Sequence, residues 1–420
     1  MVGTNHKYAP VALRERLSCH PEALPSRLKS LVDGDTREAV ILSTCNRTEI
    51  YTISSPDAKI ISHVQEELSN WGGIESTDIE NHLYVLSGED AVEHLISVAA
   101  GLDSLAAGEQ QIQNQVKQAL REANRVGACG RFLSELFRYA DKTAFEIRRQ
   151  TGLDTEQISV SSAVTLLMNQ LASERRVETI LLVGAGKMIS LAAEDLTGFP
   201  GIEVWVANRT IQRARDLASR FRGKAISLNE IPAALEKADV VLTCISSASY
   251  VLSTEELRTA VEKRENRPLI VIDVAVPRNV DPQARFIPGL KLYDIDDLAP
   301  FGEKPSSTFK TKLDEAKRLA REETQNFNAH VRAYDVNDLL KDLMKAAEDI
   351  REKELSRALR KLGDVPSREK TILDLLTRRI VNKLLYEPTL RLKAHATNGD
   401  GEKYETVLRE LFDIRRQSEQ

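Results

Sequence analysis

Thr179-Ile-Leu-Leu-Val-Gly184-Ala-Gly186-Lys-Met188 reads as an apolar strand running straight into a glycine turn. In that setting the first glycine permits the tight turn. The second lets the backbone approach a pyrophosphate at the N-terminus of the next helix. Val204-Trp-Val-Ala-Asn, Ala238-Asp-Val-Val-Leu-Thr-Cys and Pro268-Leu-Ile-Val-Ile-Asp follow, separated by helical segments. Continuous apolar runs of this length indicate a parallel sheet covered on both faces, which makes the middle of the chain a Rossmann-like α/β domain. Ile189 stands where a third glycine is usual, a change expected to adjust helix–strand packing more than to remove the phosphate site.

The end of the second strand selects the cofactor. NAD sites place a carboxylate there to bind the ribose hydroxyls, whereas this strand ends in Asn208-Arg209-Thr210 with Arg213 beyond. A guanidinium and a hydroxyl suit a 2′-phosphate, so NADPH is the expected cofactor. Its expected contacts are Gly184, Ala185, Gly186, Lys187, Met188, Asn208, Arg209 and Thr210. A plain solvated Arg209 is the bland alternative.

Upstream, Ala39-Val-Ile-Leu-Ser-Thr and Glu49-Ile-Tyr-Thr-Ile are strand patterns flanking the polar corner Cys45-Asn46-Arg47. A thiol at a polar turn beside an arginine favours the thiolate, which marks Cys45 as a candidate nucleophile. Cys19, Cys129 and Cys244 read as small core residues. From Gly88 the pattern turns helical, with Glu89 and Asp90 in the first turn and Val92, Leu95, Ile96 and Ala99 on one face. His94 on that helix is the candidate acid–base partner, against the alternative of a satisfied structural histidine. His6, His20, His63, His82, His330 and His395 show no metal-ligand spacing, and no metal site is expected.

Downstream, no glycine or proline occurs from Ser306 to Leu362, and charged residues alternate with Leu313, Ala316, Ala320, Phe327, Val331, Leu339 and Leu343. One helix of that length spans about 85 Å at 1.5 Å per residue. It reads as a spine leading to a helical dimerisation module, with Ile372, Leu375, Leu376 and Ile380 on a later helix; a solvated charged helix is the alternative.

The 420 residues therefore divide into an N-terminal α+β catalytic domain (1–152), a Rossmann-like domain (153–300) and a spinal helix with an all-helical dimerisation domain (301–420). The net charge of −5 gives no global reason to bind a polyanion, so a nucleic-acid partner needs a local basic face. Four dispersed cysteines suit a reducing compartment, and no apolar run approaches 18 residues. A cytoplasmic protein that does not enter a membrane is expected.

Motifs spread over nearly the whole chain resemble the glutamyl-tRNA reductase family, in that family's order. They are Asn5-His-Lys with Pro10-Val-Ala-Leu-Arg-Glu-Arg-Leu17, Ser43-Thr-Cys-Asn-Arg-Thr-Glu-Ile-Tyr51, and His94 with Ala100-Gly-Leu-Asp-Ser-Leu105 and Gly108-Glu109. Gly184-Ala-Gly-Lys-Met188 and Asn208-Arg-Thr210 follow, then Ile272-Asp-Val-Ala-Val-Pro-Arg-Asn-Val-Asp-Pro282, Leu292-Tyr-Asp-Ile-Asp-Asp-Leu298 and Lys383-Leu-Leu-Tyr-Glu-Pro-Thr-Leu-Arg391.

The resemblance implies that Cys45 takes the glutamyl group of charged tRNA(Glu) as a thioester and that NADPH reduces it to glutamate-1-semialdehyde. That reaction opens the five-carbon route to tetrapyrroles and porphyrins. The resemblance also implies a V-shaped homodimer, substrate contacts from Thr44, Asn46, Arg47, Ser104, Glu109 and Gln115, and a following aminomutase as a further partner. Several positions depart from the family pattern: Ile189, Gln110, Ala144-Phe145-Glu146 and the Ser246-Ser-Ala-Ser-Tyr250 loop. Two other readings stand beside it. A shikimate-dehydrogenase-like enzyme would share the Asn-Arg-Thr strand end but would need neither Cys45 nor the long helix. A non-catalytic homologue would bind charged tRNA or a pathway partner.

Overall fold

The computed structural model describes residues 1–32, 35–54, 59–103, 111–153, 160–174, 176–196, 201–245, 247, 249–265, 267–298, 301, 307–397, 407–408 and 410–412. The chain forms two compact units, Met1–Arg321 and Glu322–Gln420.

The first unit opens with a four-stranded antiparallel sheet. Its strands are β1 (Val2–Asn5), β2 (Thr36–Ser43), β3 (Arg47–Ser54) and β4 (Tyr84–Val85), in the order β2-β3-β1-β4. The β2–β3 hairpin is the expected one, with Leu42 opposite Glu49 and Ser43 opposite Thr48. β1 and β4 carry no strong sequence signal of their own and are recruited by pairing. This part also holds helices Val11–Leu17, Leu24–Leu31, Ile60–Gly72, Ser76–Glu80, Gly88–Ala99, Gln111–Arg125 and Arg131–Thr151. Their apolar faces bury Leu95, Ile96, Val116, Leu136 and Phe137.

Next comes a six-stranded, all-parallel sheet: β5 (Thr179–Val183), β6 (Glu203–Ala207), β7 (Lys224–Ile226), β8 (Val240–Thr243), β9 (Leu269–Asp273) and β10 (Leu290–Asp294). The order β10-β9-β8-β5-β6-β7 is doubly wound and turns back between β5 and β8, where such sheets bind ligands. Side chains alternate between two buried faces. Ile180, Leu182, Val206 and Ile272 join one cluster, and Leu181, Val183, Trp205 and Val241 the other. Both faces are covered, so the strands read as unbroken apolar runs, each buried Leu or Ile stabilising by roughly 1.5–3 kcal/mol. β7 and β10 were not marked by the sequence patterns; β7 has three residues and β10 alternates polar with apolar at the sheet edge.

Helix Ser307–Leu362 runs 56 residues, and Ser367–Thr397 follows it. In the second unit Leu339, Leu340, Leu343, Leu385 and Leu392 form a small core. Ile372, Leu375, Leu376, Ile380 and Leu384 lie exposed along the later helix at three- and four-residue steps.

Candidate active site

The β2–β3 turn is built by its own side chain. Thr44 Oγ1 accepts the amides of Asn46 and Arg47, both at 3.2 Å, and the Thr44 amide donates to the Arg47 carbonyl at 2.8 Å. Such a hydroxyl-closed turn leaves the next residue, Cys45, half-buried at the strand end. Behind it lies Arg14, only 3% exposed. Its Nη1 donates to the Cys45 carbonyl at 2.8 Å and to Asn46 Oδ1 at 3.2 Å. Asn46 is thus held by Arg14, and its carbonyl accepts the His6 amide at 3.0 Å.

On β3, residues at every second position share a face, so Arg47, Glu49 and Tyr51 project together. Glu49 is wholly buried and is the centre of the network. Its Oε1 accepts from Arg47 Nη1 (2.5 Å), Tyr84 Oη (2.6 Å) and His94 Nε2 (2.9 Å), and its Oε2 accepts from Tyr51 Oη (2.7 Å). Space for it comes from Gly3 on the paired strand, where a Cβ would lie 2.8 Å from Glu49 Cγ. Burial pushes the Glu49 carboxyl up, but the Arg47 guanidinium, His94 and the hydrogen bond from Tyr84 outweigh it and hold it well below the usual range. An ionised carboxylate only accepts, so the proton on His94 sits on Nε2.

The Arg47 guanidinium also reaches Asp103: its Nη2 donates to the Asp103 carbonyl at 2.5 Å and to Asp103 Oδ2 at 3.2 Å. Lys7 also pairs with Asp103. His6, beside this turn, has a buried Nδ1 with no partner among the described residues. Burial first, then Arg47, Lys7 and Arg14, pull its pKa down to about 4, so the ring is neutral near pH 7.

Of the sequence-marked residues, the structure therefore brings Thr44, Cys45, Asn46, Arg47 and His94 together. Ser104 and Glu109 lie outside the described residues. Gln115 lines a different cleft of about 310 Å³ with Cys19, Leu24, Ile41 and Ser43. By strand alternation Ile41 and Ser43 point away from the face of Leu42 and Glu49, so Gln115 is not part of the His94 network. Glu49, Tyr84, His6 and Arg14 were not singled out as functional. The spacing of Arg47, Glu49 and Tyr51 was the available signal for Glu49; the others become visible only through tertiary contacts.

At the switch point of the parallel sheet, Gly184 has φ +120°, and a Cβ there would lie 2.7 Å from the Cys244 carbonyl. Only glycine lets β5 turn this close to the exit of β8. Gly186 opens onto free space, and helix Lys187–Leu196 starts directly after it. This is the open, backbone-lined cradle that a pyrophosphate needs. Ala185 and Met188 pack on the core below, and Ile189 is fully buried in it, which absorbs the missing third glycine into packing. At the end of β6, Asn208 Nδ2 donates to the Thr210 carbonyl at 3.1 Å, while Arg209, Thr210 and Arg213 are exposed. The residues present fit a phosphorylated dinucleotide.

Asn279 fixes the loop facing that cradle. It is fully buried; its Oδ1 accepts from the Ile245 amide (2.7 Å) and Thr243 Oγ1 (3.0 Å), and its Nδ2 donates to the Ile245 carbonyl (2.8 Å). Its own carbonyl accepts the amides of Val251 (2.6 Å) and Leu252 (3.0 Å), so one residue pins both ends of the segment. Ser246 and Ala248 within it lie outside the described residues. Among the described residues no group of His, Cys, Asp and Glu could hold a metal, and no helix is long and apolar enough to cross a membrane.

Residues 2–151 match the family described as Glutamyl-tRNAGlu reductase, N-terminal domain, and residues 315–414 match Glutamyl-tRNAGlu reductase, dimerisation domain. Residues 167–301 match Shikimate / quinate 5-dehydrogenase. The glutamyl-tRNA reductase of Carboxydothermus hydrogenoformans is 36% identical over 420 residues, covering 100% of this chain and 93% of that protein. That of Syntrophotalea carbinolica is 36% identical over 421 residues, covering 100% and 95%. The solved structure of glutamyl-tRNA reductase from Methanopyrus kandleri superposes with a TM-score of 0.51 at 29% identity, covering 98% of each chain.

Proposed function

The chain belongs to the glutamyl-tRNA reductase family, and from that premise we propose that it reduces glutamyl-tRNA(Glu) to glutamate-1-semialdehyde with NADPH, through a thioester on Cys45. The observation that carries the reading is the pairing of a hydroxyl-closed Cys45 turn with a buried Arg47–Glu49–His94 network in one unit with a dinucleotide cradle. Cys45 Sγ forms a bond to the glutamyl carbonyl carbon, the ester bond to the tRNA ribose breaks, and the ribose oxygen takes a proton. His94, its Nε2 proton fixed by Glu49, is oriented to exchange protons through its other nitrogen. Arg47 receives the substrate's side-chain carboxylate by exchanging the longer Asp103 Oδ2 contact while keeping Glu49.

The Gly184–Met188 turn would hold NADPH, which would supply the hydride for reducing the Cys45 thioester to the aldehyde, with the Cys45 thiolate as leaving group. Arg209 and Thr210, exposed at the end of β6 with no carboxylate beside them, favour the 2′-phosphate. The exposed stripe Ile372–Leu384 and the match to a dimerisation domain support a homodimer. The four cysteines, free of disulfides, agree with a reducing cytoplasm, and the aldehyde passes to a following aminomutase. Cys45→Ser is expected to give no semialdehyde from glutamyl-tRNA and NADPH; near-normal aldehyde formation would overturn the mechanism.

A further inference from the structure

Helix Val11–Leu17 belongs to the N-terminal sheet domain, yet one of its faces is docked on the nucleotide domain. Val11, Arg14 and Glu15 occupy that face, three and four residues apart. Val11 is 5% exposed and packs into the nucleotide-domain core with Ile295 and Leu298. Its amide donates to Asp296 Oδ2 at 2.9 Å, and Arg14 Nη2 pairs with the other oxygen of the same carboxylate. One step along, Glu15 takes both Arg278 Nε (2.9 Å) and Nη2 (2.5 Å), and also the Arg278 amide at 3.2 Å. A two-pronged pair in which each side chain is only 14% exposed fixes orientation as well as distance.

Each end of this contact leads to a reacting group. Arg14 also holds the Cys45 carbonyl and Asn46, so the helix and the nucleophile's turn move together. Arg278 precedes Asn279, the residue that pins Thr243, Ile245, Val251 and Leu252 at the dinucleotide cradle. The helix is thus a short, hydrogen-bonded link between the nucleophile and the loop at the hydride donor's site.

We propose that helix Val11–Leu17 is an interdomain clasp, in which Arg14 and Glu15 act as positioning residues that seat the acylated Cys45 turn against the nucleotide domain for hydride transfer. The proposal rests on the thioester reading above. Acyl transfer takes place at Cys45 in the N-terminal domain, whereas reduction brings that domain and the nucleotide domain into register. A displacement of about 1 Å at the reacting atoms costs about a hundredfold in rate.

The test uses the full-length chain with Glu15→Gln, Asp296→Asn, and the exchanged pair Glu15→Arg with Arg278→Glu. Acylation of Cys45 by glutamyl-tRNA without NADPH is followed by intact mass, and NADPH is then added to partition the adduct between semialdehyde and free glutamate. Acylation is expected to stay within about twofold in the single variants. Semialdehyde formation is expected to fall about tenfold or more, with free glutamate appearing in its place, and the exchanged pair is expected to recover reduction. Unchanged reduction, acylation and reduction falling together, or an exchanged pair no better than the singles would each overturn the proposal.

Hydrogen exchange gives a readout that needs no chemistry. If the clasp closes as a unit, Glu15→Gln deprotects the Val11 amide and Asp296→Asn deprotects the Arg278 amide, each across from the altered pair. Unchanged protection at both overturns the clasp. Failure of the wild-type chain to acylate would instead strike the thioester reading and leave this exchange result to decide the clasp.

Discussion

Replacing Glu49 by Gln is the sharpest probe of the buried network. The carboxylate takes four donors, at 2.5, 2.6, 2.7 and 2.9 Å, and has no solvent access. The amide keeps one oxygen and turns an NH₂ toward groups that also donate. Arg47, itself 2% exposed, loses its fully buried counter-charge and retains Asp103. Removing one partner of a buried ion pair costs about 3–5 kcal/mol. At about 2–4 °C per kcal/mol for a domain of this size, the N-terminal transition should drop by roughly 6–20 °C.

Calorimetry of the full-length chain at pH 7 measures that drop, and its pH dependence carries a second signature. Glu49 is depressed below its ordinary value of 4.5, so below that pH the unfolded chain binds the proton that the folded chain refuses. The stabilisation is complete above pH 4.5 and is lost as pH falls toward the folded value, so the gap between wild type and Glu49→Gln narrows in acid. A variant melting within about 2 °C of wild type at pH 7 would refute the reasoning.

Other predictions address the cofactor domain and His6. Arg209→Ala should raise the KM for NADPH about tenfold or more and leave that for NADH nearly unchanged, since a charge-assisted phosphate contact carries about 1.5–3 kcal/mol; equal changes in steady-state kinetics with the two cofactors would remove the 2′-phosphate argument. Asn279→Ala removes the side-chain hold on Thr243 and Ile245 while the backbone carbonyl keeps Val251 and Leu252, so NADPH should bind several-fold more weakly by fluorescence titration while Cys45 acylation persists, and unaltered binding would contradict the clamp. His6 lies near 4 in the fold against its ordinary value of 6.5, so the unfolded state binds more protons between those values and stability falls as pH drops through that window. With the ring only partly buried the slope is worth about 1 kcal/mol; denaturant titrations at both ends of the window should find it in wild type and not in His6→Gln.

Much of the fold could be read because its physics is local. β5 is an unbroken apolar run because both sheet faces are covered, and Gly184 follows because β5 must turn against the Cys244 carbonyl. The glycine-free stretch became the helix Ser307–Leu362 for equally local reasons. The Cys45 turn was marked by its polar company, and Thr44 proves to build it.

What stayed hidden depends on chain segments far apart. Glu49 stands in the sequence as a polar position of a strand, and its bond to His94 spans 45 residues. Arg14 and Glu15 sit in Val-Ala-Leu-Arg-Glu-Arg-Leu, where no local pattern marks them, and their partners Asp296 and Arg278 lie 282 and 263 residues away. Gln115 lines the cleft of Cys19 and Ser43, a placement that no local pattern in its helix announces.

The central claim is that Cys45 carries the glutamyl group between the two half-reactions. The direct measurement incubates the protein with glutamyl-tRNA, then adds NADPH, and follows Cys45 by peptide mass spectrometry. A glutamyl adduct on Cys45 that forms without NADPH and disappears with it, as semialdehyde appears, is the predicted result. Semialdehyde formed with no adduct on Cys45 at any time, or an adduct that NADPH leaves untouched, would contradict it.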